Sequence, residues 1–229
     1  AKNFSKGFAG NIAYSYNDAF SVLDGTSSQN NSQWRGYYNV AGRNFIVDDP
    51  MRSAFAGGHR LFGQFSYELE YLKFLKSKLS LNFNAQTGGF YSYVVGENNF
   101  RFVNDGGFDN NELVYVPNSQ NDLNLVETTV GGTTYSPAQQ WEILNDFIDD
   151  DPHLSERRGD YAERNGAREP WEFTLDLRFL QDFYVELGNG KRNILQLSVD
   201  VFNFTNLLNP EWGRRRFAGS FGAYPLVFM

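Results

Sequence analysis

The sequence predicts an all-β chain: an antiparallel meander forming part of a large transmembrane β-barrel, with long outer loops and one short loop helix. Three observations point there. Five stretches alternate apolar and polar residues with a period of two, the period of a strand that shows a different environment to each face. Long and short connections between those stretches alternate, as outer loops and inner turns do in outer-membrane barrels. Charge is also sorted by connection. All six lysines, at positions 2, 6, 73, 76, 78 and 191, lie before the first strand or in short turns, whereas positions 94–170 hold 15 acidic residues against 5 arginines.

Composition fits the same class. Aromatic residues make up 17% of the 229, with 22 Phe and 13 Tyr. Mean hydropathy is nevertheless −0.49, and no run approaches the roughly 18 apolar residues of a membrane helix. Strands that are greasy on alternate residues have this profile, and membrane barrels add aromatic girdles at both interfaces. A soluble β-sandwich satisfies the composition equally well; loop alternation and charge sorting favour the barrel. The absence of cysteine excludes disulfides, zinc-thiolate sites and a cysteine nucleophile. A net charge of −7 argues against nucleic acid, which rewards a basic patch. The chain opens AKNFSKGF, without initiator methionine or signal peptide, and is expected to be a mature segment or a fragment.

The first strand is expected near 7–20, where Phe8, Gly10, Ile12, Tyr14 and Tyr16 alternate with Ala9, Asn11, Ala13, Ser15 and Asn17. The connection over 21–58 is rich in Asn, Ser and Gly, which is loop chemistry, and it is long for a hairpin. The second strand, 59–72, sets Leu61, Gly63, Phe65, Tyr67, Leu69 and Tyr71 against Arg60, Phe62, Gln64, Ser66, Glu68 and Glu70. A lysine-marked turn, Lys73 to Lys78, leads to the third strand, 78–93. Its polar wall of Ser80, Asn82, Asn84 and Gln86 is amide and hydroxyl, which suits a wet, enclosed lumen better than an open soluble surface.

Positions 94–170 form the longest connection and contain one helix. Ser136 is its N-cap, Pro137 its first residue, and Trp141, Leu144, Phe147 and Ile148 follow at helical spacing until Asp149 to Pro152 end it. The last part, Arg157 to Glu169, is charged throughout and feeds directly into the fourth strand, 171–183. There Trp171, Phe173, Leu175, Leu177 and Phe179 oppose Glu172, Thr174, Asp176 and Arg178. About nine such residues are what a tilted strand needs to cross a bilayer. A short turn near Gly188 to Arg192 precedes the fifth strand, 193–204, with Leu195, Leu197, Val199 and Val201 outward and Gln196, Ser198 and Asp200 inward. NLLNPEWGRRR makes a further polar loop, and FAGSFGAYPLVFM reads as the approach to another strand. Five strands cannot close a membrane barrel, whose smallest type has about eight. Open edges in lipid are prohibitively costly, so the chain either is one piece of a larger barrel or assembles with other chains, and the first is the expectation.

Several stretches together resemble the C-terminal barrel region of TonB-dependent outer-membrane receptors of the Oar-like group. They are GTSSQNNSQWR, LNFNAQTGGFYSY, DGGFDNNELVYVP, RRGDYAERNGAREPW followed by LDLRFLQDF, and DVFNFTNLLNPEWG. The resemblance covers nearly the whole chain in the family's order. It implies a barrel of about 22 strands, an N-terminal plug domain and energy-coupled solute uptake through the inner-membrane TonB complex. The partners it implies are the plug, the remaining barrel strands, the TonB complex, outer-membrane lipid and an unidentified solute. The implied location is the outer membrane of a Gram-negative bacterium. The plug, the TonB box and most of the barrel are not in this sequence.

Candidate site residues fall into three groups. Arg60, Gln64, Glu68, Asn82, Asn84, Gln86, Asp176, Arg178 and Asp200 are expected to face the lumen, where a solute or the plug would meet them. Arg157, Arg158, Arg164 and Arg168 stand among Glu156, Asp160, Glu163 and Glu169; arginine grips carboxylate or phosphate bidentately, so they either bind an anion or pair among themselves. Asn104, Asp105, Asp109, Asn110, Asn111 and Glu112 surround Gly106 and Gly107, an oxygen-rich turn. Asp105, Asp109 and Asn111 are candidate Ca2+ ligands, although Asn and Asp are also good turn formers. No catalytic residues are expected: His59 and His153 sit in dissimilar settings, and no GxSxG elbow occurs. The rival to a transporter is a cell-surface adhesion or interaction protein using its long acidic loops, with or without calcium. A carbohydrate-binding soluble sandwich is a third reading.

Overall fold

Strand alternation builds one large sheet. The structure, a computed structural model, describes residues 2–25, 27–35, 50–95, 112–188 and 191–216. Six strands pair in sequence order as an antiparallel meander: β1 (Lys2–Ser5), β2 (Phe8–Asn17), β3 (Gly58–Leu72), β4 (Leu75–Gln86), β5 (Glu172–Leu187) and β6 (Lys191–Val201). A two-residue link, Lys6–Gly7, joins β1 to β2. Both residues have positive φ, 53° and 84°, as two-residue hairpin turns demand. A Cβ on Gly7 would stand 2.4 Å from the Glu68 carbonyl oxygen, so only glycine fits.

Register turns alternation into two walls. Phe8, Tyr67, Leu79, Phe179 and Val199 form one row across five strands; Ile12, Gly63, Phe83 and Leu175 form another, and Tyr14, Leu61, Ala85 and Phe173 a third. The intervening rows are polar, such as Asn11, Gln64, Asn82 and Asp176, or Ala9, Ser66, Ser80, Arg178 and Asp200. The apolar wall stays uncovered: Ile12 is 63% exposed, Phe8 58% and Leu197 55%.

Burial is found elsewhere. The chain divides into two compact units, one holding 1–17, 57–88 and 170–216, the other built from the described residues of 18–56 and 89–169. In the second unit, short antiparallel pairs join Phe20–Ser21 to Met51–Arg52, Phe90–Tyr91 to Ala167–Arg168, Val94–Val95 to Glu112–Leu113, and Tyr115–Val116 to Asp160–Tyr161. A hairpin spans Thr128–Val130 and Thr133–Tyr135. A short helix α1 (Asn30–Arg35) and a longer α2 (Pro137–Asp150) complete it. The Ser136 hydroxyl accepts from the Gln139 N–H at 3.4 Å, and Gln139 Oε1 accepts from the Ser136 N–H at 2.9 Å, a reciprocal cap. Leu144 and Ile148 of α2 pack with Val114, Val116, Leu154 and Tyr93 in a hydrophobic core.

The sequence expectations need correcting in several places. Among the described residues the large sheet has six strands, not five; β1 is too short and too polar to show a period. The Lys73 to Lys78 turn shrinks to Lys73–Phe74, and Lys76 and Lys78 are strand residues on the polar wall. The third strand ends at Gln86 rather than 93, because Phe90–Tyr91 leaves to pair with Ala167–Arg168. The fourth strand runs on to Leu187, and the fifth occupies 191–201 and gives way to a helical turn, α3 (Phe204–Leu208). The connections over 21–58 and 94–170 are not plain loops around one helix but carry paired strands and buried packing.

Candidate functional site

The polar wall is the first candidate surface, and its residues are tied to one another across strands. Arg178 Nε lies 3.3 Å from Asp200 Oδ1, its direct cross-strand neighbour. Arg60 Nε donates to Asn84 Oδ1 at 2.9 Å, and Gln86 Nε2 donates to Glu172 Oε2 at 3.0 Å. Lys76 Nζ sits 2.6 Å from Glu68 Oε1, and Asp176 Oδ1 accepts the Asn203 N–H at 2.8 Å. Gln64 and Asn82 share the row between Asn11 and Asp176. Partly exposed pairs of this kind contribute only about 0–1 kcal/mol each. Such a wall stays hydrated and can exchange partners with an incoming polar group at little cost.

One polar cluster sits on the apolar wall. Gln181 breaks the alternation of β5 and is 9% exposed. Its Oε1 accepts from Ser77 Oγ at 2.5 Å and Tyr71 Oη at 3.1 Å, while its Nε2 donates to the Lys76 carbonyl at 3.2 Å. At the other end of the sheet, Tyr14 Oη and His59 Nδ1 are 2.7 Å apart. The His59 ring there lies 4.7 Å from that of Tyr16 and 6.1 Å from that of Trp171. The sequence signal for the first cluster was the lone glutamine in an otherwise apolar register.

In the second unit the four arginines do different things. Arg157 pairs with Asp160 at 2.6 Å and Glu163 at 3.3 Å. Arg158 reaches Asp149 Oδ1 at 2.8 Å, Asn145 Oδ1 at 2.8 Å and the Pro117 carbonyl at 3.0 Å. Arg164 is 3% exposed and donates to the carbonyls of Ser21, Val22 and Met51, the last two at 3.0 and 3.3 Å. Arg168 stacks over the Phe90 ring at 3.9 Å from its centroid. Arg157 thus meets carboxylates of the same charged stretch, and Arg158 one on α2.

The sequence reading missed the groups that lock this unit. Asp24 accepts from the Ala54 N–H at 2.9 Å and from Ser21 Oγ at 2.5 Å. Burial pushes its carboxyl up, but these hydrogen bonds and the nearby Arg164 charge outweigh that and hold it below the usual carboxylate range. His153 packs so closely on Gly166 that a Cβ there would lie 2.2 Å from its ring. Its Nε2 accepts from the Glu163 N–H at 3.2 Å. Burial lowers its pKa, against the pull of Glu163 and Asp151. Tyr93 donates to Asp151, and burial together with that bond raises its pKa.

Among the described residues no group of His, Cys, Asp or Glu is arranged to hold a metal ion. Asp105, Asp109 and Asn111, with Asn104 and Asn110, lie outside the described residues. Glu112, at the edge of that cluster, is 1% exposed. No protein-family profile matches the chain, and no curated protein or solved structure matches it.

Proposed function

We propose that the chain is the barrel portion of a TonB-dependent outer-membrane transporter of the Oar-like group, which takes up a solute by energy-coupled gating. The observation that carries this reading is a bare apolar wall long enough to cross a bilayer. From Trp171 to Gln181 the chain advances ten residues, about 33 Å at about 3.3 Å per residue. At a strand tilt of about 35–45° this spans roughly 23–27 Å, against an apolar band of about 25 Å in outer-membrane barrels. The stretch so measured begins at the Tyr14, Tyr16, His59 and Trp171 rings and reaches the Gln181, Ser77 and Tyr71 cluster; beyond it Phe183, Val185 and Leu195 continue the exposed apolar face towards the short turn. Amphipathic rings at both limits are what a membrane interface selects.

In this reading lipid covers the apolar wall, and further strands pair with the edges β1 and β6, which lipid would not tolerate bare. The polar wall faces the lumen and meets the plug or the solute. The outer connections capture the solute, and the plug, driven by the TonB complex, rearranges to admit it. No bond chemistry is needed; capture and gating suffice.

Membrane fractionation tests the reading. The protein should sediment with outer membranes, resist extraction by urea or alkaline carbonate, and leave only with detergent. Recovery of a monodisperse, detergent-free protein from the soluble fraction would overturn it. A surface adhesion or interaction protein is the second reading, favoured by the self-contained hydrophobic core of the connections. A plug-encoding segment upstream in the same reading frame distinguishes the transporter from the adhesin.

A further inference from the structure

We propose that the loop after β6 builds a pocket for the phosphate-bearing headgroup of an anionic membrane lipid, with the phosphate on Arg214 and Arg216 and the apolar body on Trp171, Phe173 and Trp212. The pocket encloses about 360 Å³ between these residues and Glu211, within the lower range of small-ligand sites.

Its wall is held by the chain itself. Asn203 adopts a left-handed conformation, φ 52°; its N–H donates to Asp176 at 2.8 Å and its Nδ2 to the Gly213 carbonyl at 3.1 Å. Gly213 has φ 66°, and a Cβ there would fall 1.9 Å from Asn203 Oδ1. Asn206 Nδ2 holds the carbonyls of Pro210 and Trp212 at 3.1 and 3.0 Å. Trp212 is thereby fixed beside the start of β5, although its ring remains 52% exposed.

The three successive arginines divide their work. Arg215 turns to the polar wall, where its Nε lies 2.9 Å from Glu172 Oε1. Arg214 and Arg216 line the pocket. Arg214 Nη1 is braced 2.9 Å from Glu211 Oε1, so two arginines less one glutamate leave the pocket one positive charge in a chain of net charge −7. Guanidinium forks match phosphate oxygens bidentately. Trp171 and Phe173 stack with rings 6.1 Å apart and 18° from parallel, and the apolar row continues along β5 through Leu175 and Leu177 as a track for an acyl chain. A bare inorganic anion would leave those rings unused, and a neutral sugar would leave the arginines' charge unmatched. An amphiphile uses both. That the amphiphile comes from a bilayer rests on the barrel reading; the pocket does not.

Tryptophan fluorescence of the full chain in detergent is titrated with monomeric dihexanoyl phosphatidylglycerol, dihexanoyl phosphatidylcholine and inorganic phosphate. Saturable binding of the phosphatidylglycerol is expected in the wild type and in Arg215→Ala. R214A/R216A should bind it about tenfold more weakly or worse, in line with the loss of charge-assisted hydrogen bonds. Arg216→Gln, which keeps length and polarity, should show part of that loss with an unchanged melting temperature. Unaltered affinity in both variants, or inorganic phosphate binding as tightly as the lipid, overturns the proposal. A parallel arm measures association with phosphatidylcholine vesicles, for which the arginines are dispensable. If wild type ignores these vesicles yet binds the monomeric lipid, the bilayer as source is overturned together with the barrel reading, and the pocket stands.

Discussion

Replacing Ile12 by arginine separates a lipid-facing wall from a merely exposed one. Ile12 is 63% exposed and shares its row with Gly63, Phe83 and Leu175. That row is four residues from the level of Trp171 and six from that of Gln181. At about 3.3 Å per residue and a tilt of about 40°, it lies roughly 10 Å from one limit of the band and 15 Å from the other. In the proposed barrel, with the bilayer between those two levels, Ile12 would therefore stand within about 3 Å of the midplane. In water, an exposed isoleucine changed to arginine alters stability by about 0.5 kcal/mol or less. At a bilayer midplane the same change costs about 2–4 kcal/mol. Ala13→Arg is the control, since Ala13 lies on the opposite wall and should be near neutral in either setting. The assay is urea unfolding of the assembled barrel from phospholipid vesicles, followed by tryptophan fluorescence. If Ile12→Arg costs no more than Ala13→Arg, the lipid-facing assignment fails.

Ile148→Ala should destabilise the second unit by about 2–5 kcal/mol, because Ile148 is 2% exposed within a packed cluster. Amide exchange over 112–169 reads the effect, and unchanged protection would show that this core is not what orders the connections. Ser136→Ala should cost about 1 kcal/mol and hasten exchange in the first turn of α2; an unaltered rate would rule out the cap as the helix start signal. His153 gives a pH dependence. Its folded pKa lies below its ordinary value of about 6.5, so the unfolded chain takes up the proton first. Its contribution is fully present above about pH 6.5 and is lost as pH falls from there through the folded pKa. Denaturation midpoints of the second unit should drop over that window and flatten in His153→Gln; equal slopes would refute it.

The sheet was legible because period-two alternation is local and each wall meets one environment, so Phe173, Leu175 and Leu177 announce their side without help from neighbours. Helix α2 was legible for a similar reason: Ser136, Pro137 and Gln139 are a start signal contained in four residues. What escaped was set by partners distant in sequence. Lys73, Lys76 and Lys78 read as a turn until Glu68 takes Lys76 across the hairpin. Val94 and Val95 carry no period of their own, and their pairing with Glu112 and Leu113 is fixed by tertiary packing. The arginine cluster was visible as composition, but nothing local separates Arg164, buried on carbonyls, from Arg157, which meets carboxylates. The pocket beside Trp212 had a signal, tryptophan next to three arginines, which a polar loop also displays.

Arg164 also imposes an order on assembly. Its guanidinium grips the Val22 carbonyl across 142 positions of sequence, whereas β3 and β4 close over a two-residue reversal. Short closures are cheap and fast, and distant ones wait on the chain between them. During synthesis, residues 21–22 must therefore stay unlatched until the stretch around 164 has emerged, and the second unit can mature only after the short hairpins have had time to zip.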